Sequence, residues 1–481
     1  MSRYSPMDSH PHPGLIELWA GSCQAGESSG ATGGNGYIVR VSMAGTLPAA
    51  PTLGSMSAFG SGSRNAAGGN PQVLEIPPGP AGLEVLWQPL AEALAGGPAL
   101  APIPQPSPAT PQPVVDAMVA AARPNEPVAA DTALVVATSG STGNPRGVEL
   151  SGAAVQALTA EVNARAGGNP AWVLAIPATS IGGLNVAIRA HAAGQPPIAL
   201  DSLAGATPFT AEVFARGVEA ARDTDRPVAV SLVPAQLPRL LASDIGRAAL
   251  RQCALVLVGG AALAPQAARD CAAADVLVTT TYGMTETSGG CIFAGHPLDG
   301  VEVRIGDEKG TDDRVYLRGP MLATRYRDDR GELIVDGWLR TNDRGRWAGG
   351  QLQILGRLDD VVTVRGVNVD VVAVEDRLRD HPGIQDALVL VVPDPDTDNR
   401  LHAAYIADDR NVPADEADAN LTDADLRTWV GDFLGKEAAP VTLQRVESFS
   451  ATATGKIDRR ATARDLGLAD HLAQGPGRDL L

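Results

Sequence analysis

The sequence predicts an α/β protein in which a buried parallel sheet is followed by a β-rich segment and a small α+β unit. Between residues 130 and 306, nearly unbroken apolar runs at 173–176, 228–233 and 255–258 alternate with alanine-rich stretches of helical character. Strands buried on both faces of a parallel sheet have this composition, and helices connect them. From residue 315 onward short β-segments alternate with turns, and after Asp360 helices and strands are mixed.

The elements before the sheet begin with residues 1–70, which are rich in glycine, serine, alanine and proline. We expect this low-complexity extension to be disordered, with one candidate strand at 37–41. Leucines at helical spacing between residues 83 and 94 predict a helix that ends at Gly96. Six prolines between residues 102 and 113 then predict an extended linker.

The elements after Asp360 predict a compact unit of about 120 residues. A helical pattern covers 371–378, and apolar runs at 387–392 and 402–406 predict strands. Thr422 is placed to cap a further helix with one apolar face.

Composition restricts the classes of function that the chain can have. Its 481 residues are 44% hydrophobic, enough for a large core and for more than one domain. The net charge of −17 argues against nucleic acid or an anionic membrane as the main partner. No apolar run approaches the roughly 20 residues of a transmembrane helix, and the first residues lack the apolar core of a secretory signal. The four cysteines are scattered without a CxxC pair, which predicts free thiols in a reducing cytoplasm.

The segment TSGSTGNPRG at residues 138–147 follows an apolar, strand-like run at 133–137. Glycines allow the backbone to approach a ligand closely, and successive N–H groups can form an anion-binding nest. Hydroxyls add donors, and Arg146 adds a permanent positive charge. These residue types predict a loop that grips a polyphosphate, although a polar turn between two elements has a similar composition. The common phosphate loop, which ends in Gly-Lys-Ser/Thr, is absent.

Four further motifs follow in order along the chain. They are YGMTET at 282–287, WLRTND at 338–343, GRLDD at 356–360 and TGKIDR at 454–459. Together with the hydroxyl-rich loop, and over roughly residues 74–465, they resemble the adenylate-forming superfamily of acyl-CoA synthetases, adenylation domains and luciferases. The resemblance implies a large N-terminal domain of layered αβαβα sheets with a β-rich subdomain over 71–356. It also implies a hinge at 357–360 and a small mobile α+β lid domain over 361–481.

The resemblance implies the residues that bind ATP and Mg²⁺. Tyr282 resembles the ring that stacks on adenine, Asp343 resembles the acceptor for the ribose hydroxyls, and Arg357 resembles its neighbour at the ribose and phosphate. Glu286 resembles the carboxylate that holds Mg²⁺, and a carboxylate at a helix N-terminus is the alternative. The superfamily usually has lysine where this chain has Arg146, and the charge is the same. The expected ATP-binding set is Thr138, Ser139, Gly140, Ser141, Thr142, Gly143, Arg146, Gly259, Gly260, Ala261, Thr281, Tyr282, Gly283, Met284, Thr285, Asp343 and Arg357.

Lys456 is one of only three lysines among 38 basic residues, and it lies in a motif where the superfamily has a catalytic lysine. By resemblance, Lys456 reaches the α-phosphate and the acyl oxygen during adenylation, so Lys456 and Glu286 are the expected catalytic residues. Asp359 resembles the pivot about which the lid turns between adenylation and thioester formation. Gly366 resembles a residue of the tunnel for the CoA thiol.

The segment IPATSIGGLNVAIR at 176–189 bears on the acid that is activated. It resembles the acyl-binding helix of o-succinylbenzoate–CoA ligases of menaquinone synthesis, in which a His-x-x-Gly opening is followed by Arg. Gly183 and Arg189 align with the Gly and the Arg, and Ser180 replaces the usual His. A cation on an otherwise apolar helix suits a second carboxylate, whereas a surface arginine on an amphipathic helix is the alternative. Gly289 and Gly290 would leave a slot for a flat aromatic ring.

These resemblances imply an ATP- and Mg²⁺-dependent ligase that makes succinylbenzoyl-AMP and then its CoA thioester. The expected ligands are a small carboxylic acid, ATP, Mg²⁺ and CoA, without nucleic acid or membrane. Another aryl or small-acid CoA ligase, or an enzyme that loads a carrier protein, is the alternative within the class. A nucleotide-binding homologue without turnover is the alternative from a different class. The sequence leaves the oligomeric state open, a homodimer included.

Overall fold

The structure is a computed structural model that describes residues 38–39, 68–138, 145–306, 312–328, 331–394, 398–408, 422–450 and 457–468. The helices are α1 Ala81–Leu94, α2 Gln112–Ala122, α3 Gly152–Gln156, α4 Thr159–Arg165, α5 Ile181–Ala192, α6 Ala211–Arg222, α7 Leu237–Leu241, α8 Asp244–Arg251, α9 Pro265–Ala273, α10 Val371–Arg379, α11 Asp423–Leu434 and α12 Arg459–Asp465. None of these helices has the length and apolar content to cross a membrane.

The strands lie in five sheets. In the first half of the chain they are β1 Ile38–Val39, β2 Gln72–Ile76, β3 Leu100–Pro104, β4 Thr132–Ala137, β5 Gly147–Ser151, β6 Ala171–Leu174, β7 Ile198–Ala199, β8 Val228–Leu232, β9 Cys253–Val258, β10 Thr279–Met284, β11 Gly289–Phe293 and β12 His296–Pro297. In the second half they are β13 Glu302–Ile305, β14 Arg314–Arg318, β15 Arg325–Tyr326, β16 Ile334–Val335, β17 Trp338–Ala348, β18 Gln351–Arg357, β19 Val361–Val364, β20 Val367–Asp370, β21 Ile384–Asp394, β22 Asp398–Ala407 and β23 Thr442–Arg445.

The predicted parallel sheet is present and carries an antiparallel edge. Its seven strands have the order β12-β11-β10-β9-β8-β6-β7. Neighbours from β7 to β10 are parallel, while β11 and β12 are antiparallel additions. The apolar runs at 173–176, 228–233 and 255–258 correspond to β6, β8 and β9, so their prediction as buried parallel strands is confirmed.

A second sheet, of order β15-β5-β4-β3-β2, completes the layered architecture. One apolar core lies between the two sheets and includes Leu86 and Leu90 of α1, Leu184 of α5 and Trp172 of β6. A separate core lies on the other face of the seven-stranded sheet, under α6–α9. Helix α2 covers the outer face of the five-stranded sheet. The resulting αβαβα layering agrees with the expectation from resemblance, and the predicted helix α1 is confirmed.

The proline-rich segment at 102–113 is not a linker, so that prediction is wrong. Pro102 and Pro104 belong to β3, whose five residues are all buried. Strand β3 pairs along its length with β2 but with β4 only at Leu100, so the prolines lie where few N–H donors are needed. Pro111 precedes α2 and Pro113 stands in its first turn, a position where proline is tolerated.

The β-rich segment forms a third sheet of order β1-β13-β14-β17-β16, with β18 paired to β17. Strand β1 lies within the 37–41 candidate strand and pairs with β13. Apart from this strand and residues 68–70, the extension predicted to be disordered lies outside the described residues.

The C-terminal part has its own core. Sheets β19-β20 and β21-β22-β23 pack with α10 and α11, and Thr422 caps α11 as predicted by accepting the Asp425 N–H. Residues 357–360, the expected hinge, comprise the end of β18 and one 3-10 turn. Beyond it Asp370 caps α10 and also accepts a hydrogen bond from Arg344 of β17 at 2.5 Å. This ion pair joins the C-terminal part to the β-rich sheet.

Candidate active site

The hydroxyl-rich segment connects two paired strands. Strands β4 and β5 are antiparallel, with Ala137 opposite Gly147. The Thr138 N–H donates to the Arg146 carbonyl at 2.8 Å, and the Arg146 N–H donates to the Thr138 hydroxyl at 3.0 Å. These two bonds close the base of the loop. The expected phosphate-binding residues Ser139, Gly140, Ser141, Thr142 and Gly143 lie outside the described residues.

The side chain of Arg146 is held at the base of this loop. Its Nε and Nη2 donate to the two carboxylate oxygens of Asp328 at 2.8 and 2.6 Å. Its guanidinium carbon lies 3.3 Å from the centre of the Tyr326 ring. The Tyr326 hydroxyl in turn donates to Oε1 of Glu286 at 2.8 Å. The expected phosphate cation and the expected Mg²⁺ carboxylate therefore contact the same tyrosine.

Tyr282, Asp343, Arg357 and Asp359 form a second polar group. The Tyr282 hydroxyl donates to Oδ2 of Asp343 at 2.6 Å, and Arg357 is opposite Asp343 in the register of β17 and β18. Arg357 Nη1 lies 3.7 Å from Oδ1 of Asp343, while its Nε and Nη2 bind both oxygens of Asp359. Burial raises the pKa of Asp343 against the opposing effects of Tyr282 and Arg357. The expected ribose acceptor and hinge carboxylate are thus connected through one arginine.

Backbone turns at the carboxyl ends of β9 and β10 carry the other expected nucleotide contacts. Gly259, Gly260 and Ala261 follow β9, and Thr281, Gly283 and Met284 lie in β10 with Thr285 in the next turn. Ligands of open α/β sheets bind outside these carboxyl ends. A Cβ at Gly283 would lie 2.0 Å from the Gly289 carbonyl oxygen, so only glycine fits where β10 turns back into β11.

The segment aligned with the acyl-binding helix is α5 and its N-terminus. The Ser180 hydroxyl donates to the Pro177 carbonyl at 2.8 Å and accepts from the Gly183 N–H at 3.4 Å, so it caps the helix. A Cβ at Gly183 would lie 2.3 Å from the same Pro177 carbonyl oxygen. Asn185, in the second turn of α5, donates to the Ser288 carbonyl at 2.8 Å. This bond fixes α5 against the turn before Gly289 and Gly290.

Arg189 is buried near the end of α5. Only 6% of the residue is exposed, which rules out the alternative of a surface arginine. Its guanidinium carbon lies 5.4 Å from the centre of the Trp172 ring. Among the described residues, no carboxylate forms an ion pair with it and no side-chain hydrogen bond offsets its charge. Burial lowers the pKa of the Arg189 guanidinium to about 10, so it stays charged at neutral pH.

The hinge region and the C-terminal part are partly described. Burial raises the pKa of Asp360 to about 6, against the effect of the Arg459 charge. Arg459 donates to Glu375 at 2.6 Å and to the Val389 carbonyl at 2.8 Å, which anchors the start of α12. Gly366 has φ of +79° in the turn between β19 and β20. Lys456 lies outside the described residues.

The described side chains show how a metal ion could be held at this site. Within the described residues, no three histidine, cysteine or acidic side chains converge as metal ligands. Glu286 fits the alternative arrangement, in which Mg²⁺ is held by one or two carboxylates together with substrate phosphates.

Comparisons with known proteins define the class. The model of the AMP-binding enzyme family matches residues 89–337, and that of the AMP-binding enzyme C-terminal domain matches residues 373–456. The chain therefore belongs to the AMP-binding enzyme family.

Among its relatives is a probable 2-succinylbenzoate–CoA ligase of Mycobacterium tuberculosis, 34% identical over 82% of this chain and 98% of the relative. ATP-bound MatB from Rhodopseudomonas palustris shares the fold with a TM-score of 0.64, at 21% identity over 82% of this chain and 89% of that one. The o-succinylbenzoate CoA synthetase from Bacillus subtilis, bound to its acyl-adenylate, gives a TM-score of 0.60 at 19% identity over 85% and 89%.

Sequence reasoning did not identify Tyr326 or Asp328. Both are more than 170 residues from the hydroxyl-rich loop in the sequence and belong to none of the five motifs. The available signal was the alternation of side chains between the two faces of a strand. Residues 325 and 327 contact Glu149 on one face, and residues 326 and 328 contact Arg146 on the other. The run Arg-Tyr-Arg-Asp shows the alternation, but only the pairing of β15 with β5 places it beside the loop.

Proposed function

We propose that this chain is an ATP- and Mg²⁺-dependent ligase that activates 2-succinylbenzoate as an acyl-adenylate and transfers the acyl group to CoA in menaquinone biosynthesis. A carboxylate oxygen of the acid attacks the α-phosphorus of ATP, and pyrophosphate leaves. The CoA sulfur then attacks the acyl carbon, its proton is lost, and AMP leaves. The cytoplasmic location expected from the scattered cysteines is part of this proposal.

The proposed chemistry is mainly positioning and charge neutralisation, because the first step brings two anions together. Thr138, the loop residues 139–143 and Arg146 would hold the phosphates, and Asp343 would hold the ribose beside Tyr282. Mg²⁺, held by Glu286 and the phosphates, would neutralise charge on the phosphate oxygens. Lys456 would donate to the α-phosphate and the acyl oxygen. Asp359 would serve as the hinge pivot and Gly366 would border the CoA thiol.

The observation that carries the choice of acid is the buried charge of Arg189. A buried charge costs several kcal/mol unless a partner or hydrogen bonds compensate it. The Trp172 ring supplies about 1–2 kcal/mol of cation–π attraction, which is only part of that cost. A substrate carboxylate would supply the remainder. A second carboxylate of the substrate would therefore account for a charged arginine that follows the buried apolar residues 186–188 of α5.

The experiment measures pyrophosphate release with 2-succinylbenzoate and with two monocarboxylate analogues, one lacking the ring carboxyl and one lacking the succinyl carboxyl. Arg189→Ala should lower kcat/KM for the diacid by about 10- to 150-fold, because a hydrogen bond to a charged group contributes about 1.5–3 kcal/mol. The KM for ATP should change little.

Arg165→Ala is the matched control, since Arg165 also lies near an aromatic ring but is paired with Glu161 at 2.5 Å. It should leave the preference for the diacid intact. A wild-type enzyme that prefers either monocarboxylate would refute the proposed substrate.

A further inference from the structure

Arg146, Asp328, Tyr326 and Glu286 form one connected cluster whose four members come from three separate segments. The Arg146–Asp328 contact is a two-point ion pair, and the two side chains are 24% and 17% exposed. A planar guanidinium matches a carboxylate in this way, whereas a lysine ammonium cannot. The guanidinium carbon also lies 3.3 Å from the centre of the Tyr326 ring. Arginine at this position is therefore held by a two-point contact with Asp328 that lysine could not make, and by the Tyr326 ring.

The segment that supplies Asp328 and Tyr326 is itself rigidly attached. Strand β15 pairs with β5, with Tyr326 opposite Val148. The Arg327 N–H donates to the Gly147 carbonyl at 2.8 Å, immediately beyond Arg146. On the opposite face Arg327 is paired with buried Glu149 at 2.6 Å. Asp328 and Tyr326 are thus set in position relative to the base of the phosphate loop.

Tyr326 also separates two opposite charges. Arg146 experiences an attractive electrostatic interaction with Glu286 as well as with Asp328. The Tyr326 ring lies on the guanidinium while its hydroxyl binds Glu286. Burial raises the pKa of Tyr326, so its hydroxyl remains a donor at neutral pH. A direct Arg146–Glu286 pair would occupy both groups and leave neither for a ligand.

We propose that Asp328 and Tyr326 are positioning residues, which hold the Arg146 guanidinium in one orientation at the phosphate loop and keep it from pairing with Glu286. Asp328 takes two of the five N–H donors of Arg146, and three remain for the polyphosphate of a nucleotide. Tyr326 leaves the second oxygen of Glu286 for the cation that accompanies the phosphates. The inference rests on the proposed nucleotide-binding role of Arg146, but not on which acid is activated.

The test is a double-mutant cycle on ATP binding measured by calorimetry in the absence of any acid, with Mg²⁺ and with EDTA. Arg146→Lys and Asp328→Asn should each weaken ATP binding about tenfold, and the double variant should be about as weak as either single variant. The KM for the carboxylic acid should stay within about twofold. Independent effects, about 100-fold together, would overturn the proposal. Unchanged ATP binding by Asp328→Asn would also overturn it, because Asp328 would then not position Arg146, and tighter binding would mean that Asp328 sequesters Arg146.

Tyr326→Phe tests the role of Tyr326 separately, because it keeps the aromatic ring beside Arg146 and removes the hydroxyl that binds Glu286. It should bind ATP like the wild type in EDTA but lose part of the tightening that Mg²⁺ produces. An unchanged Mg²⁺ effect would contradict the role assigned to Tyr326. Asp201→Asn is the matched control, since it removes a carboxylate from an exposed pair with Arg216 at 3.6 Å and should change none of these values. Failure of the acid panel would reject the proposed substrate without affecting this cycle.

Discussion

At the scale of single residues, the contacts of Asp343 bear on its proposed role as the acceptor for the ribose hydroxyls. Its Oδ2 accepts from Tyr282, and its N–H donates to the Thr341 hydroxyl at 3.0 Å, which fixes the backbone there. Nε and Nη2 of Arg357 donate to Asp359, and its Nη1 lies 3.7 Å from Oδ1 of Asp343, beyond hydrogen-bond distance. Oδ1 is therefore placed to accept from a ligand.

Asp343→Asn should raise the KM for ATP about 10- to 100-fold while the KM for the acid stays nearly constant. The amide keeps the shape of the carboxylate but removes its charge and replaces one acceptor with a donor. Steady-state kinetics with each substrate varied in turn measures the effect. Asp313→Asn, which removes a carboxylate from an ion pair with Arg344 on the same sheet, is the control. A larger effect on the acid than on ATP would contradict the assignment.

At this scale the sequence predicted the identity of residues and that Asp343 and Arg357 are neighbours, but not the hydrogen-bond partners of these residues. The motifs located Tyr282, Glu286, Asp343 and Arg357, and the structure brings two of them, Tyr282 and Asp343, into direct contact. Ser180 could be aligned with a family histidine, but only the structure shows that its hydroxyl caps α5. Contacts between distant segments depend on strand pairing, which a motif does not specify.

At the scale of elements, the attachment of β15 to β5 depends on a buried ion pair. Glu149 is fully buried and binds Arg327, which is 2% exposed, and Arg325, which is 54% exposed. Burial alone would raise the pKa of Glu149, but Arg325, the Ala129 N–H and Arg327 together lower it. The carboxylate therefore stays charged in the interior.

Arg327→Met should destabilise the protein by about 3–5 kcal/mol, because removal of one partner leaves a buried charge poorly compensated. Arg325→Met should cost at most about 1 kcal/mol, because an exposed partner contributes little. Denaturant unfolding of both variants measures the free energy of unfolding lost when either of the two arginines that bind this carboxylate is removed. Equal losses would contradict the account of this attachment.

The strands of the parallel sheet were predictable because burial on both faces leaves a nearly continuous apolar run, as in β8. Strand β3 was not predictable from the sequence, because two prolines in five residues are typical of a linker as long as the pairing partners are unknown. Its pairing with β2 on one side and only at Leu100 on the other removes the need for those N–H groups. The pairing of β3 within the sheet, which the sequence does not show, therefore makes this segment a strand.

At the scale of the whole molecule, two parts are connected through residues 357–360 and through the Arg344–Asp370 pair. Each part has its own core, and the division at residues 357–360 stays a prediction from the resemblance. Lys456 lies outside the described residues, so its position relative to the nucleotide stays a prediction from the resemblance.

Lys456→Ala should suppress adenylation by about 10²–10³-fold, because it removes a cationic donor from the developing charge. It should largely spare thioester formation when succinylbenzoyl-AMP is supplied, since in the proposed cycle that step follows the turn of the lid. Pyrophosphate release measures the first step and thioester formation the second. Lys436→Ala, another lysine of the same part, should affect neither. Equal loss of both steps would reject the role of Lys456.

The most direct test of the central claim is to identify the product. The full chain is incubated with ATP, Mg²⁺, CoA and an equimolar mixture of 2-succinylbenzoate and its two monocarboxylate analogues, and the thioesters are identified by mass spectrometry. We predict 2-succinylbenzoyl-CoA as the main thioester, with one AMP and one pyrophosphate formed for each thioester molecule. A different main thioester, or ADP and phosphate in place of AMP and pyrophosphate, would contradict the account.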